Sequence, residues 1–349
     1  MSEHIPQKPK RGKKIALIIV ACVLTLLLIA LAAAAIIWNS LVGRINRHNG
    51  PVEIMSQEEQ DSIRNETDKI DPDFTGPIMN STDTDLDDKP TELITQGDNI
   101  VNILLVGQDR LPGQGRQRSD AMILCTLNKK EKTLTMTSFM RDTWVRIPGY
   151  YDERLNVPYA VAGFDLLNQT LEYNFGVKAD HVIEVDFSGF ENVVNIIGGL
   201  DINLTSAEAY HLNKIFNWNL SAGINHLNGK QTLEYARIRA IDNDFNRTSR
   251  QRKVLNLVFE KMKGLSVTEL YKFAENILPL ITTDMTDGEI LKYVLEIAPV
   301  ISGLTVVSQR IPMDGAYADA YIDQKCVLYI SQENFEKNKQ LLQSSIGTE

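Results

Sequence analysis

Ile15 to Trp38 is a run of 24 residues without a charged side chain, and no charge appears between Lys14 and Arg44. As a helix at ~1.5 Å per residue it covers roughly 36 Å, enough to cross a hydrocarbon core of ~30 Å with some tilt. A cleaved signal peptide has an apolar stretch of only ~7–15 residues. Ala32-Ala33-Ala34 mimics a cleavage site, but the length argues for an uncleaved span. Residues 1–14 hold Lys8, Lys10, Arg11, Lys13 and Lys14 against Glu3. That basic cluster predicts a cytoplasmic tail (1–14), a transmembrane helix (15–38) with Trp38 at the outer interface, and an exterior remainder. The lipid bilayer is thus the first partner the chain announces.

The formal net charge of −9 is unevenly placed: residues 51–98 carry 14 acidic side chains and 3 basic ones. Segment 39–97, with Glu58, Glu59, Asp61, Asp83, Asp85, Asp87 and Asp88 among Ser, Thr, Asn and Pro, is poor in bulky apolar residues. Such a stretch cannot bury enough surface to offset chain entropy, which predicts an extended or disordered acidic spacer. Asp83-Thr84-Asp85-Leu86-Asp87 lacks the Gly and Glu that complete an EF-hand loop. Beyond it, 99–349 is close to neutral, and with its exterior placement this disfavours nucleic acid as a partner. Cys22, Cys125 and Cys326 give no disulfide framework; free thiols are expected, with a Cys125–Cys326 bridge left open. The five His are scattered without metal-ligand spacing, and His181, alternating with apolar residues, reads as structural.

In the exterior part, Asn99–Val106 reads as a buried strand ending at Gly107. Ala121–Leu127 and Thr133–Phe139 flank Asn128-Lys-Lys-Glu-Lys132 as a hairpin. A helix is predicted over 159–174, stopping at Gly176, then a strand at His181–Phe187, a short helix at Phe190–Ile197 and a strand at Leu200–Leu204. Helical segments follow at 206–217, 230–238 and 247–263. Strands alternating with helices imply an α/β sheet covered on both faces.

Charged groups fall where these strands end, which is where such sheets meet ligands. Asp109 follows the first strand; Arg118-Ser-Asp120 precedes the second; Arg141-Asp142 closes the third; Arg154-Leu-Asn156 precedes a helix. The densest group is Arg237, Arg239, Arg247, Arg250 and Arg252 with Asp242 and Asp244. Arg237 and Arg239, two apart, point the same way only in extended chain, whereas Arg247 and Gln251 share a helix face. Basic residues at a helix start are mildly unfavourable, which suggests an anionic ligand, and guanidinium forks fit phosphate oxygens. Asp109 and Asp120 suit Mg²⁺ (or Mn²⁺), which uses one or two carboxylates plus phosphate oxygens. The residues alone describe an extracytoplasmic, anion-handling α/β domain.

Taken in order, Asn102-Ile-Leu-Leu-Val-Gly-Gln-Asp109, Arg118-Ser-Asp120, Arg141-Asp142-Thr-Trp-Val-Arg-Ile-Pro-Gly149, Arg154-Leu-Asn156, Leu227–Arg239 and Asp244-Phe-Asn-Arg247-Thr-Ser-Arg250-Gln251 resemble the LytR-CpsA-Psr family of bacterial cell-wall ligases over roughly 98–262. The resemblance implies a three-layer α/β/α sandwich around a central mixed sheet, preceded by one transmembrane helix. Its catalytic core would be 98–264, with 265–349 the end of the same domain or an accessory helical layer. It implies transfer of a polyprenyl-pyrophosphate-linked glycopolymer, such as teichoic acid or capsule, onto peptidoglycan, releasing polyprenyl phosphate, at the cell membrane of a Gram-positive-type bacterium. Carried over, Asp109 and Asp120 bind Mg²⁺; Arg118, Arg141, Arg154, Arg237, Arg239, Arg247 and Gln251 hold the pyrophosphate, with Asp142 beside the reacting hydroxyl or holding Arg141. Phe187 and Val194 are candidates for a lipid pocket. A non-enzymatic envelope regulator or scaffold and a polyprenyl pyrophosphatase remain alternatives, with envelope-assembly proteins as possible partners. The chain departs from the family pattern at Arg154 (usually Lys), Met140 (Pro), Asn246 (Gly, where a positive φ is expected) and Arg252 (Gln).

Overall fold

Ile100–Gln108 (β2) alternates: Leu104 and Val106 are buried against one layer, while Leu105 and Gly107 face the other side. Around it the chain builds a seven-stranded sheet from Asn46–Arg47 (β1), β2, Ser119–Asn128 (β3), Thr133–Phe139 (β4), His181–Asp186 (β5), Ile281–Thr283 (β6) and Thr305–Ile311 (β7), ordered β1-β6-β5-β2-β3-β4-β7. β2, β3 and β4 form an antiparallel meander, while β5 joins β2 and β7 joins β4 in parallel. The sheet is therefore mixed.

Helices cover both faces. Val157–Phe175 (α1) and, at the end of the chain, Gln332–Ile346 pack Leu167, Leu171, Phe175, Leu342 and Ile346 onto Leu104, Val106, Met122 and Phe139. Across the sheet lie Phe187–Ile196 (α2), Gly229–Arg237 (α3) and Asp244–Lys263 (α4). They share a second core with the hairpin Leu200–Leu204/Gly223–Leu227, including Val194, Ile202, Leu227, Tyr235 and Val254.

The computed structural model describes Ala35 and residues 37–47, 53–86, 90–108, 115–297 and 301–346. It divides into two units, residues 1–45 and 46–349. The basic tail and nearly all of Ile15–Trp38 lie outside the described residues. Among the described residues no helix is long and apolar enough to cross a membrane.

The acidic segment departs from expectation. Residues 53–86 and 90–97 are folded onto the domain: Gln57–Arg64 is a helix with a Ser56–Glu59 capping box, and Ile63, Leu86 and Ile94 are buried. Ile78–Met79 adds a parallel strand to Tyr321–Ile322. At Gly176 (φ +65) a Cβ would lie 2.3 Å from the Glu92 carbonyl oxygen, so the end of α1 and this segment pass at contact distance. Composition misread the segment because its apolar partners and hydrogen bonds come from distant residues, which offset the chain entropy. The C-terminal residues likewise belong to the sheet, since β7 pairs with β4 along its whole length. Cys125 and Cys326 are both unpaired.

Candidate functional site

On the face covered by α2, α3 and α4, the sheet carries small residues where a filled core would need large ones. Gly107 and Ala121 are register partners there, and together with Leu105, Ile123, Ile183 and Val185 they floor a cavity of about 480 Å³. Phe187, Phe190 and Val193 of α2, Leu233 and Ala236 of α3, and Val254, Leu255 and Val258 of α4 wall it. The walls are apolar. The same cavity is lined by Asp120, Arg141, Arg237, Arg239, Arg247 and Gln251, which mark its polar end.

Each arginine arrives by a separate local device. Arg141 follows the end of β4, where Met140 N–H bonds the Ile311 carbonyl and closes the sheet edge. α3 ends at Arg237, and extended backbone at Ile238 (ψ 127°) lets Arg239 line the cavity as well, as the two-residue spacing requires. α4 starts at Asp244, capped by the Asn243 side chain, and delivers Arg247 in its first turn and Gln251 one turn later. Asn246 sits inside this helix, donating its N–H to Asn243, so no left-handed turn is needed there.

Asp244 ties the cluster. Its carboxylate is 2.8 Å from Arg247, 3.5 Å from Arg239 and 4.0 Å from Arg141. Arg141 also holds Asp120 at 2.6 Å and Asp142 at 3.5 Å. Burial pushes the Asp244 carboxyl above the ordinary Asp value, against the pull of Arg247. Burial also lowers Arg247, while at Arg141 the carboxylates of Asp142, Asp120 and Asp244 outweigh burial and raise it. Among the described residues the buried Nε of Arg247 has no hydrogen-bond partner, which leaves a donor unsatisfied at this end of the cavity. Arg247 is buried and Arg141 largely so, while Arg237 and Arg239 are exposed at the opening. A donor set of this kind takes a phosphate-type anion at one end while the walls take an apolar chain.

The other predicted residues divide. Phe187 lines the cavity, with the Arg237 guanidinium 4.3 Å above its ring. Val194 does not: one residue past Val193, a rotation of ~100° turns it into the second core, where it is fully buried. Asp142 is held against Arg141. Arg118 and Arg154 do not line the cavity; Arg118 pairs with Glu66, and Arg154 with Asp68 at 3.2 Å and Glu66 at 3.5 Å. Arg250 turns away to Glu208, 2.7 Å, and to Asp242. Asp109 lies outside the described residues. Three contributors carried no assignment in the sequence: Asp244, present in the motif without a role, and Glu66 and Asp68 in the acidic segment. The cavity stripe Gln251, Val254, Leu255, Val258 has the spacing of any core-facing helix, so periodicity could not mark it as hollow.

The LytR_cpsA_psr family model matches residues 73–344. The polyisoprenyl-teichoic acid–peptidoglycan teichoic acid transferase TagT of Bacillus subtilis (strain 168) is 30% identical over 260 residues, 72% of this chain and 78% of that protein. Regulatory protein MsrR of Staphylococcus aureus (strain COL) is 30% identical over 250 residues, 70% and 69% of the two chains. The structure of TagT bound to LIIa-WTA superposes with a TM-score of 0.60 at 28% identity, covering 75% of this chain and 97% of that one. YwtF (TagT) with bound octaprenyl pyrophosphate lipid gives 0.55 at 26%, covering 76% and 99%. By a family match over most of its length and a fold shared with those structures, this chain belongs to the LytR-CpsA-Psr family.

Proposed function

We propose that the chain is a membrane-anchored, extracytoplasmic phosphotransferase. It takes a glycopolymer, of the teichoic acid or capsule type, from polyprenyl pyrophosphate and attaches it to peptidoglycan. The observation that carries this reading is one cavity whose polar end gathers four arginines and whose remaining walls are apolar, the two halves a lipid diphosphate needs. The relatives named as teichoic acid transferases and the solved structure holding octaprenyl pyrophosphate support it.

In this reading the diphosphate lies on Arg141, Arg237, Arg239 and Arg247, with Gln251 beside it, and the prenyl chain lies among Phe187, Val193 and Val254. The acceptor hydroxyl attacks the phosphorus nearer the sugar; a new O–P bond forms, the bridging P–O bond breaks, and polyprenyl phosphate leaves. The hydroxyl proton goes to a carboxylate beside Arg141, Asp142 or Asp244. The arginines act by holding the charge that shifts onto the leaving phosphate oxygens. Among the described residues no three His, Cys, Asp or Glu side chains gather for a metal. Asp120 at the mouth nevertheless offers the hard oxygen Mg²⁺ prefers, and the diphosphate offers more, so the donor chemistry fits. Asp120 and Asp109 would hold the ion, whose charge offsets that of the phosphoryl oxygens. The uncharged run Ile15–Trp38 supplies the anchor.

The test is a reaction of the purified chain with a labelled polyprenyl-pyrophosphate glycan and a peptidoglycan oligomer. Label appears on peptidoglycan with the natural chain and not with Arg247→Ala. Release of free phospho-glycan to water instead identifies a pyrophosphatase. Binding without either product identifies a regulator, the role in MsrR's name.

A further inference from the structure

Two of the arginines near this site are already occupied. Arg118 and Arg154 are brought together by the pairing of the first residue of β3 with the chain after Arg154: Ser119 N–H bonds the Asn156 carbonyl at 3.2 Å, and Asn156 N–H bonds the Arg141 carbonyl at 3.1 Å. Among the described residues the carboxylate that touches both is Glu66, whose two oxygens divide between them, Oε1 to Arg118 and Oε2 to Arg154 at 3.5 Å. A carboxylate bridging two guanidiniums in this way reproduces what two oxygens of a phosphate group do.

The backbone presenting Glu66 is fixed on both sides. Glu66 N–H bonds Ile63 at the end of helix Gln57–Arg64. Two residues on, Asp68 is pinned: its N–H bonds Gln324, its carbonyl accepts from the Tyr321 hydroxyl at 3.0 Å, and its carboxylate accepts from Cys326 N–H at 3.0 Å. Asp68 therefore cannot leave without undoing the segment, whereas the Glu66 side chain, 40% exposed, can swing out by side-chain rotation alone. Arg154 keeps Asp68 and Glu153 as partners when it does. Glu66 lies before residue 73, where the family match begins, while Arg118 and Arg154 lie within it.

We propose that Glu66 is a specificity-determining residue of this site: its carboxylate fills the outer arginine pair as a built-in oxyanion, and a phosphate-type oxyanion binds Arg118 and Arg154 only by displacing it. The proposal deepens the phosphotransferase reading, on which it rests for the class of anion. It makes the outer pair selective, since a neutral sugar passes it while a charged group competes with Glu66.

The experiment uses the full-length chain in detergent micelles and inorganic pyrophosphate as the probe, with affinity measured by calorimetric titration at low ionic strength. Glu66→Gln is expected to bind about tenfold more tightly, the scale of one charge-assisted contact. Glu58→Gln, the same charge change on the neighbouring helix, binds as the natural chain does. In the double variant Glu66→Gln/Arg154→Gln the gain disappears. Equal affinity in Glu66→Gln and the natural chain overturns the proposal, as does a gain that survives loss of Arg154. Should Glu66→Gln lower the melting temperature, Glu66→Asp carries the test: it keeps the charge but is too short to reach both guanidiniums. It is expected to bind about threefold more tightly, and equality with the natural chain overturns the proposal. Should the affinity series hold while no variant transfers glycopolymer, the functional reading fails and this one stands; the reverse pattern removes only this one.

Discussion

Asp244 meets Arg247 at 2.8 Å across the first turn of α4, and the same carboxylate faces Arg239 and Arg141. Three guanidiniums around one cavity end repel each other, and Asp244 is the carboxylate they share, with Asp120 and Asp142 adding to it at Arg141. That convergence is bought against burial of the carboxylate itself, which raises its pKa.

Asp244→Asn separates the two roles. A carboxyl whose folded pKa is raised binds more protons folded than unfolded, so its contribution falls as pH climbs from about 4 through the raised value. The Asn variant is expected to melt no lower than the natural chain at pH 7, with the difference vanishing near pH 3. Its transfer rate falls at least about tenfold, because the arginines lose their common partner. Melting curves across pH, beside initial rates, check both halves.

Val193 and Val194 are adjacent but belong to different environments, one on the cavity wall and one in the packed core. Val194→Ala should destabilise by about 1–3 kcal/mol in urea unfolding, the loss expected for a truncated core side chain. Val193→Trp should leave stability nearly unchanged and exclude a polyprenyl chain, read as lost co-purification of lipid. The opposite assignment of effects would show the cavity to be misplaced.

Lys325 and Glu153 form an ion pair with both side chains buried. Lys325→Ala leaves a buried carboxylate beside Arg154 and is expected to lose about 3–5 kcal/mol. Lys325→Met with Glu153→Leu should recover most of that in chemical denaturation, since replacing both charges removes the penalty of leaving one alone.

His181 lies 3.5 Å from Asp284 and 3.8 Å from Glu289. Burial lowers its pKa, but Asp284 foremost, then Glu289 and Asp180, outweigh burial and raise it. Its contribution to stability is thus complete below about pH 6.5 and is lost as pH rises through the raised value. Asp284→Asn should melt lower than the natural chain at pH 6 and approach it by pH 9. Parallel curves at all pH values would exclude the pairing.

Much of the sheet was legible because β2, β3 and β4 are apolar runs punctuated by turns, and local pattern suffices for buried strands. The arginines at the cavity were legible for a different reason: their motifs sit at strand and helix ends, where a charge needs a partner. Glu66, Asp68 and the short strand at Ile78–Met79 were not legible, since what orders them is contact with residues 52 to 258 positions away. Val194 was misassigned because a turn of one residue on a short helix decides between wall and core, and sequence does not set that phase.

By itself the sequence determined the apolar run, the α/β alternation and the residues that carry charge to the ends of strands, all of which follow from periodicity and side-chain chemistry within a few residues. Tertiary structure alone decided that a cavity of about 480 Å³ lies behind four of the arginines, and that two others are held by the chain's own acidic segment. A void and a long-range ion pair are properties of how separate elements pack. No stretch of sequence contains them, because hollow and filled cores are written with the same apolar stripe.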